Sequence, residues 1–191
     1  MMADDRIARV DTMFADAIAL HERVRGQHAV LVAAADAIAA ALARGGKVLI
    51  FGNGGSAADA QHLAAELVGR FARERRAAAA IALSTDTSIL TAVANDYGFE
   101  RIFARQIEAL ANAGDVAVGI STSGRSPNVL AALSAARRRG LTTIGLSGSD
   151  GGAVATAVDI HVNTPHGDAA RVQEVQRTQI HVICALVEET L

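Results

Sequence analysis

His62 and Glu66 stand four residues apart in an alanine-rich stretch, so on a helix they share one face. An imidazole beside a carboxylate can carry protons to and from a substrate, and the same atoms can ligate a divalent metal. Far along the chain Gln173 and His181 are eight apart, again on about one helical face, in a segment otherwise apolar at Val175, Ile180, Val182, Ile183, Leu186 and Val187. A histidine bordering such a run is more often a packed core or interface residue. If the two faces meet, however, they combine nitrogen and oxygen donors that suit a zinc-like ion. Two turns offer a different chemistry. Gly52-Asn-Gly-Gly-Ser56 separates the apolar run Val48–Phe51 from a helix-forming segment, so its glycines allow close backbone approach and the new helix start directs N–H groups at a ligand. Ser121-Thr-Ser-Gly-Arg-Ser126 follows another apolar run and supplies hydroxyls at Ser121, Thr122, Ser123 and Ser126. Such turns hold a monophosphate without needing a lysine.

The elements that must position these residues follow from hydrophobic periodicity. Ile7 to Arg44 reads as two amphipathic helices broken near Gly26, an addition that would pack on a sheet or a partner subunit. Strands are expected at 48–51, 79–83, 116–120, 142–146 and 160–163, and helices at 56–71, 100–111, 127–139 and 169–189. A further helix after Ser84–Ser88, which could cap it, leads to a polar turn at Ala94–Gly98; Ser147–Gly152 reads as a loop. The basic stretch Arg70–Arg76, with four arginines, reads as a solvated helix end or subunit contact. Strands alternating with helices define an α/β fold, a five-stranded parallel sheet flanked by helices with an N-terminal helical pair over 1–44. In such sheets ligands bind beyond the carboxyl ends of the strands, where the turns at 52–56, 84–88 and 121–126 converge.

Composition narrows the function classes. At 191 residues and 51% apolar, the chain fits one domain with its own core. A net charge near −2, with both signs interspersed, provides no global field for nucleic acid. Cys184 is the only cysteine, which excludes an internal disulfide framework and suits a reducing compartment. The acidic N-terminus lacks the pattern of a signal peptide, and no apolar run is long enough for a membrane span, so a cytoplasmic protein is expected. Gly52–Ala57 matches the loose dinucleotide pattern, but the nearest suitable acid, Asp86, lies over 30 residues beyond the glycines, too far for a ribose partner. No nucleoside-triphosphate loop with Gly-Lys-Ser/Thr is present.

Taken together, Gly52-Asn-Gly-Gly-Ser56, His62-x-x-x-Glu66, Thr91-Ala-Val-Ala-Asn-Asp-Tyr97, Ser121-Thr-Ser-Gly-x-Ser126 and Arg171-Val-Gln-Glu174 with His181 resemble the phosphoheptose isomerases of the sugar isomerase (SIS) fold. The likeness runs over nearly the whole chain, so 1–191 is expected to be a single SIS domain. It implies a homotetramer with sites at subunit interfaces that converts sedoheptulose 7-phosphate to glycero-manno-heptose 7-phosphate through an enediol, towards the heptose of lipopolysaccharide. It further implies one zinc ion per subunit on His62, Glu66, Gln173 and His181, with Glu66 as carbon base and His181 as acid. Implied substrate contacts are Asn53, Gly54, Gly55, Glu66, Asn95, Asp96, Ser121, Thr122, Ser123, Ser126 and Gln173, the serine turn taking the phosphate. The chain departs from many similar isomerases at Gln176, where histidine is common, and at Arg125, where asparagine is; Asp168 is a further candidate for proton transfer. The alternative is a non-catalytic tetrameric adaptor of the same fold that binds the bacterial replication initiator protein. Such adaptors typically lack the glutamate and histidine that Glu66 and His181 represent here.

Overall fold

The computed structural model describes residues 3–191, with side chains from Asp5 onward. Two helices, α1 (Ala3–Val24) and α2 (His28–Ala43), precede the strand β1 (Val48–Gly52). There follow α3 (Gly55–Val68), β2 (Ala80–Ala82), α4 (Thr87–Tyr97), a 3-10 turn at Phe99–Arg101, α5 (Ala104–Leu110), β3 (Val116–Ser121) and α6 (Pro127–Arg138). The chain ends with β4 (Thr142–Gly148), the short α7 (Val154–Ala157), β5 (Ile160–Thr164) and α8 (Ala169–Glu188). All strand pairings are parallel and the sheet order is β2-β1-β3-β4-β5. Chain order reverses between β1 and β3, so the crevice at their carboxyl ends is the switch point where such sheets bind ligands. The Gly52 turn and the Ser121 turn leave those two strands.

Side-chain alternation along the strands divides the core in two. Val48 and Ile50 face a cluster with Leu42 of α2, Leu63 and Leu67 of α3, and Ile180 and Ile183 of α8. Leu49 and Phe51 face the other side, with Phe103, Ile107, Val129 and Leu133. α3 and α8 therefore lie side by side on one face of the sheet, and because each follows a parallel strand they run in the same direction. That shared direction sets the site. α1 is tied to α8 by Leu20, Val24 and Val175, and by Arg171 Nη1 donating to the Met13 carbonyl at 2.6 Å. No single helix among the described residues is long and apolar enough to cross a membrane. The pair α1 and α2 passes that test only together and bent by 76°, and α2 contributes Ala34, Ile38 and Leu42 to the core.

The expected element order holds, with local differences. α3 ends at Val68, and the arginine stretch is irregular because Arg75 turns back to close the helix. Its guanidinium donates to the carbonyls of Glu66 at 2.6 Å, Leu67 at 2.9 Å and Gly69 at 3.1 Å, satisfying acceptors that a helix end leaves open. Ala94–Tyr97 is the last turn of α4, which only Gly98, at φ 86°, brings to a stop. Asp86 is the residue that caps α4, accepting from the Ile89 N–H at 2.9 Å. The helix expected over 100–111 is divided into the 3-10 turn and α5.

Candidate active site

Along the seam of α3 and α8 side chains meet in three rungs. At the end nearest the sheet's carboxyl edge, the Gln173 carboxamide lies against Gly55; a Cβ built there would come within 2.7 Å of its Cδ and Oε1. One turn further, Arg177 Nε donates to Asp59 Oδ1 at 2.8 Å, and Nη2 is 2.5 Å from the same oxygen. At the third rung His62 Nε2 and His181 Nε2 are 2.8 Å apart, and Glu66 Oε1 is 3.4 Å from His62 Nε2. One ligand atom from each of His62, Glu66 and His181 lies within 4.8 Å of the others. Two imidazole nitrogens and a carboxylate oxygen converging in this way can hold a divalent metal ion. Gln173 is on the same ridge as His181 but about 12 Å before it along the helix axis, at 1.5 Å per residue.

Burial is the main cause that pulls the His62 pKa below its usual value, and the positive charge of Arg177 and then His181 act in the same direction, against Glu66 and Asp59. A neutral imidazole keeps its nitrogen lone pair for a metal or a proton. The cluster is held from behind. Phe71 packs on His181 with ring centroids 5.6 Å apart, and the turn carrying Phe71 is fastened to the end of α8 by Glu188. That carboxylate accepts from the N–H groups of Phe71 at 2.9 Å, Ala72 at 3.0 Å and Arg73 at 2.9 Å, and lies 3.6 Å from Arg75.

The two turns at the switch point are joined to one another. Asn53 Nδ2 donates to Asn128 Oδ1 at 2.9 Å and Asn128 Nδ2 donates back to Asn53 Oδ1 at 2.8 Å. Neither Gly54 nor Ser126 caps its helix with a side chain, whereas α4 and α8 are capped by Asp86 and Asp168. The N–H groups of Ser56, Ala57 and Ala58 bond the carbonyls of Asn53 and Gly54, and that of Val129 bonds Asn128 Oδ1, so among the described residues the first turns of α3 and α6 leave the N–H groups of Gly55 and Asn128 for an anion. Ser126 Oγ turns instead to Ser121 Oγ at 3.0 Å, and Ser121 Oγ is 3.4 Å from Ser123 Oγ, so the hydroxyls cluster at one point. Thr122 is half-buried in the same turn. Gly124, at φ 63°, presses its backbone on Gly151 and Gly152, which back the turn.

Other expected residues are placed differently. Asn95 and Asp96 are exposed at the end of α4, paired with each other at 2.8 Å, and no hydrogen bond joins them to the seam or the serine turn among the described residues. Asp168 accepts from the Ala170 N–H at 2.8 Å as the cap of α8. Arg125 is held by Asp150 at 2.7 Å. Gln176 is buried and donates to the Ser147 carbonyl at 3.2 Å, its Oε1 unpartnered among the described residues. Sequence reasoning missed Asp59, Arg177 and Asn128. The signal for the first two was present: Asp59 lies between Gly55 and His62, and Arg177 is four residues from both Gln173 and His181.

Comparison with known proteins agrees with this geometry. The SIS domain family model matches residues 12–148, so the chain is an SIS-domain protein. Phosphoheptose isomerase of Geobacter sulfurreducens is 60% identical over 157 residues, 82% of this chain and 83% of that protein. The phosphoheptose isomerase of Roseiflexus sp. is 54% identical over 168 residues, 88% and 85% of the two chains. Among solved structures, phosphoheptose isomerase from Neisseria gonorrhoeae superposes with a TM-score of 0.91 at 45% identity, covering 95% of this chain and 98% of that one. The Francisella tularensis phosphoheptose isomerase gives 0.92 at 35% identity over 99% and 100%. The chain belongs to the phosphoheptose isomerase family.

Proposed function

We propose that this protein is a ketose–aldose isomerase that converts sedoheptulose 7-phosphate to glycero-manno-heptose 7-phosphate, a precursor step for lipopolysaccharide heptose. The observation that carries the site assignment is the meeting of His62 and Glu66 with His181 on one seam, next to the turns that suit an anion. The distances fit the substrate. Gly55 and His62 are about 10 Å apart along α3 at 1.5 Å per residue, and the carbon chain of a heptose cannot exceed about 9 Å at 1.5 Å per bond. With the phosphate at Ser121, Thr122, Ser123 and Ser126, and at Asn53, Gly54 and Gly55, the other end of the sugar reaches the cluster.

In the reaction Glu66 takes the proton from C1 of the ketose, and the C–H electrons form the C1=C2 double bond while the C2 carbonyl pair moves to O2, which is protonated. The enediol then takes a proton at C2 as O1 loses its proton and becomes the C1 carbonyl. His181 exchanges protons between O1 and O2. Positioned proton transfer of this kind is worth roughly 10²- to 10⁴-fold. A zinc ion bound by His62, Glu66 and His181, one per subunit, would supply Lewis-acid polarisation of the substrate oxygen. Glu66 would be a ligand of that ion or the carbon base, the two roles belonging to different moments of turnover. Gln173, at the anion end of the seam against Gly55 and about 12 Å along α8 from His181, would be the fourth donor only from a neighbouring copy of the chain.

The whole of 1–191 acts as one SIS unit with 1–44 as its helical extension, assembled as a homotetramer with sites at subunit interfaces. Two features support this. Ile7, Val10, Phe14 and Ile18 form an apolar stripe on α1 that the single chain leaves exposed, and Asn95 and Asp96 stand away from the seam of their own chain. A cytoplasmic setting suits the one buried free thiol, Cys184. The test is incubation with sedoheptulose 7-phosphate in D2O. Formation of the aldose with deuterium incorporated at C2 is expected, and an unchanged ketose would overturn the assignment.

A further inference from the structure

The middle rung of the seam does not have the form of a simple interhelical ion pair. A guanidinium and a carboxylate that only brace two helices pair as a fork, two N–H donors on two oxygens. Here Nε and Nη2 of Arg177 both address Asp59 Oδ1, and Asp59 Oδ2 is buried with no partner among the described residues. Asp59 itself is sunk between the helices, its side chain 4% exposed, while the Arg177 side chain is 38% exposed. Nη1 of Arg177 donates to no protein group among the described residues. A cation is therefore fastened at its inner edge and open at its outer edge. Its position adds the second observation: Arg177 is four residues from Gln173 and four from His181, midway between the anion end of the seam and the metal-ligand cluster.

We propose that Arg177 is a substrate-contact residue that binds the hydroxyl-bearing middle of the sugar chain, and that Asp59 is the positioning residue that aims it. This rests on the isomerase reading for the direction in which the sugar lies. A linear sugar phosphate spanning the seam must pass the free guanidinium edge with its central hydroxyls, and hydroxyl oxygens are acceptors for Nη1–H. Inorganic phosphate, which needs only the turns, does not reach Arg177. The residue thus separates a long polyol phosphate from the phosphate group alone.

Two variants separate contact from bracing. Arg177→Met alone leaves the Asp59 carboxylate buried and uncompensated, and will lose stability. The double variant Asp59→Asn/Arg177→Met removes both charges and is expected to melt near the wild type, since neutral replacement of a buried pair is well tolerated. Dissociation constants are measured by calorimetry for inorganic phosphate and for the seven-carbon sugar phosphate at isomer equilibrium, so that binding is read without turnover. The double variant is expected to bind inorganic phosphate as the wild type does and the sugar phosphate roughly 10- to 100-fold more weakly, the size of lost hydrogen bonds to a charged group. Unchanged sugar affinity in the double variant would overturn the proposal, as would an equal loss for both ligands. A wild type that binds the sugar but does not convert it would instead overturn the isomerase reading, leaving the Arg177 comparison intact.

Discussion

The Nε2 atoms of His62 and His181 lie 2.8 Å apart although 119 positions separate the residues in the chain. At this distance one ring nitrogen can donate to the other, or the two lone pairs can converge on one metal ion. Zinc at 100 times its dissociation constant should stabilise the wild type by about 2.7 kcal/mol through linkage. Thermal melting of His181→Ala in the same zinc concentration should show none of that gain. An equal rise in both proteins would remove the histidine from the metal set.

Two glycines should respond differently to a methyl group. Gly124→Ala forces a left-handed backbone on alanine and drives Cβ into the Gly151 backbone, which cannot give way. It should lose at least about 2 kcal/mol in denaturant unfolding. At Gly55 the obstacle is the far end of the Gln173 side chain, which can swing aside. Gly55→Ala should therefore fold with little loss and show its defect in sugar binding, a rise in KM larger than the fall in melting temperature would suggest.

Asp115 gives a pH dependence of stability. Burial pushes its pKa up, but the hydrogen bonds from Lys47 Nζ at 2.7 Å, the Lys47 N–H at 2.9 Å and the Asn112 N–H at 2.9 Å together outweigh it and hold the pKa below the ordinary 3.8. A carboxylate depressed in the folded state contributes stability that is present above its unfolded pKa and lost as pH falls through the folded one. Unfolding of wild type and Asp115→Asn across pH 2 to 6 should show their difference largest at the upper end and shrinking in acid, and a constant difference would contradict this.

Cys184 is buried, and burial first, with Glu66 adding, raises its thiol to about 12. Folded protein at pH 8 should react with a thiol reagent far more slowly than unfolded protein, because thiolate and access are both lacking. Reaction at the unfolded rate would mean that α8 opens readily.

The amino-acid pattern carried the architecture because alternating apolar strands, glycine turns and helical periodicity are local signals. Val48–Phe51 followed by glycines announced β1, and the four-residue spacing of His62 and Glu66 announced their shared face. That α3 and α8 are neighbours was not a local fact. It is shown by the core, where Leu63 and Leu67 of α3 pack with Ile180 and Ile183 of α8 over Val48 and Ile50, and only then do the histidines meet. The same limit hid Asn128, whose partner Asn53 is 75 residues away. It also hid the division of roles among the arginines: Arg75, in a stretch with four arginines, closes α3 from within, and Arg125, alone in a serine turn, pairs with Asp150, 25 residues away. The polar stretch Ala94–Tyr97 read as a turn because its hydrogen-bonding side chains are turn-formers, yet Gly98 rather than those residues ends the helix.

The most direct test of the account is Glu66→Gln, which keeps the size and one oxygen of the side chain but removes its basicity. Conversion of sedoheptulose 7-phosphate should fall by roughly 10²- to 10⁴-fold, while the protein remains folded and still binds the sugar. Turnover at the wild-type rate would contradict the proposal that Glu66 moves the carbon-bound proton.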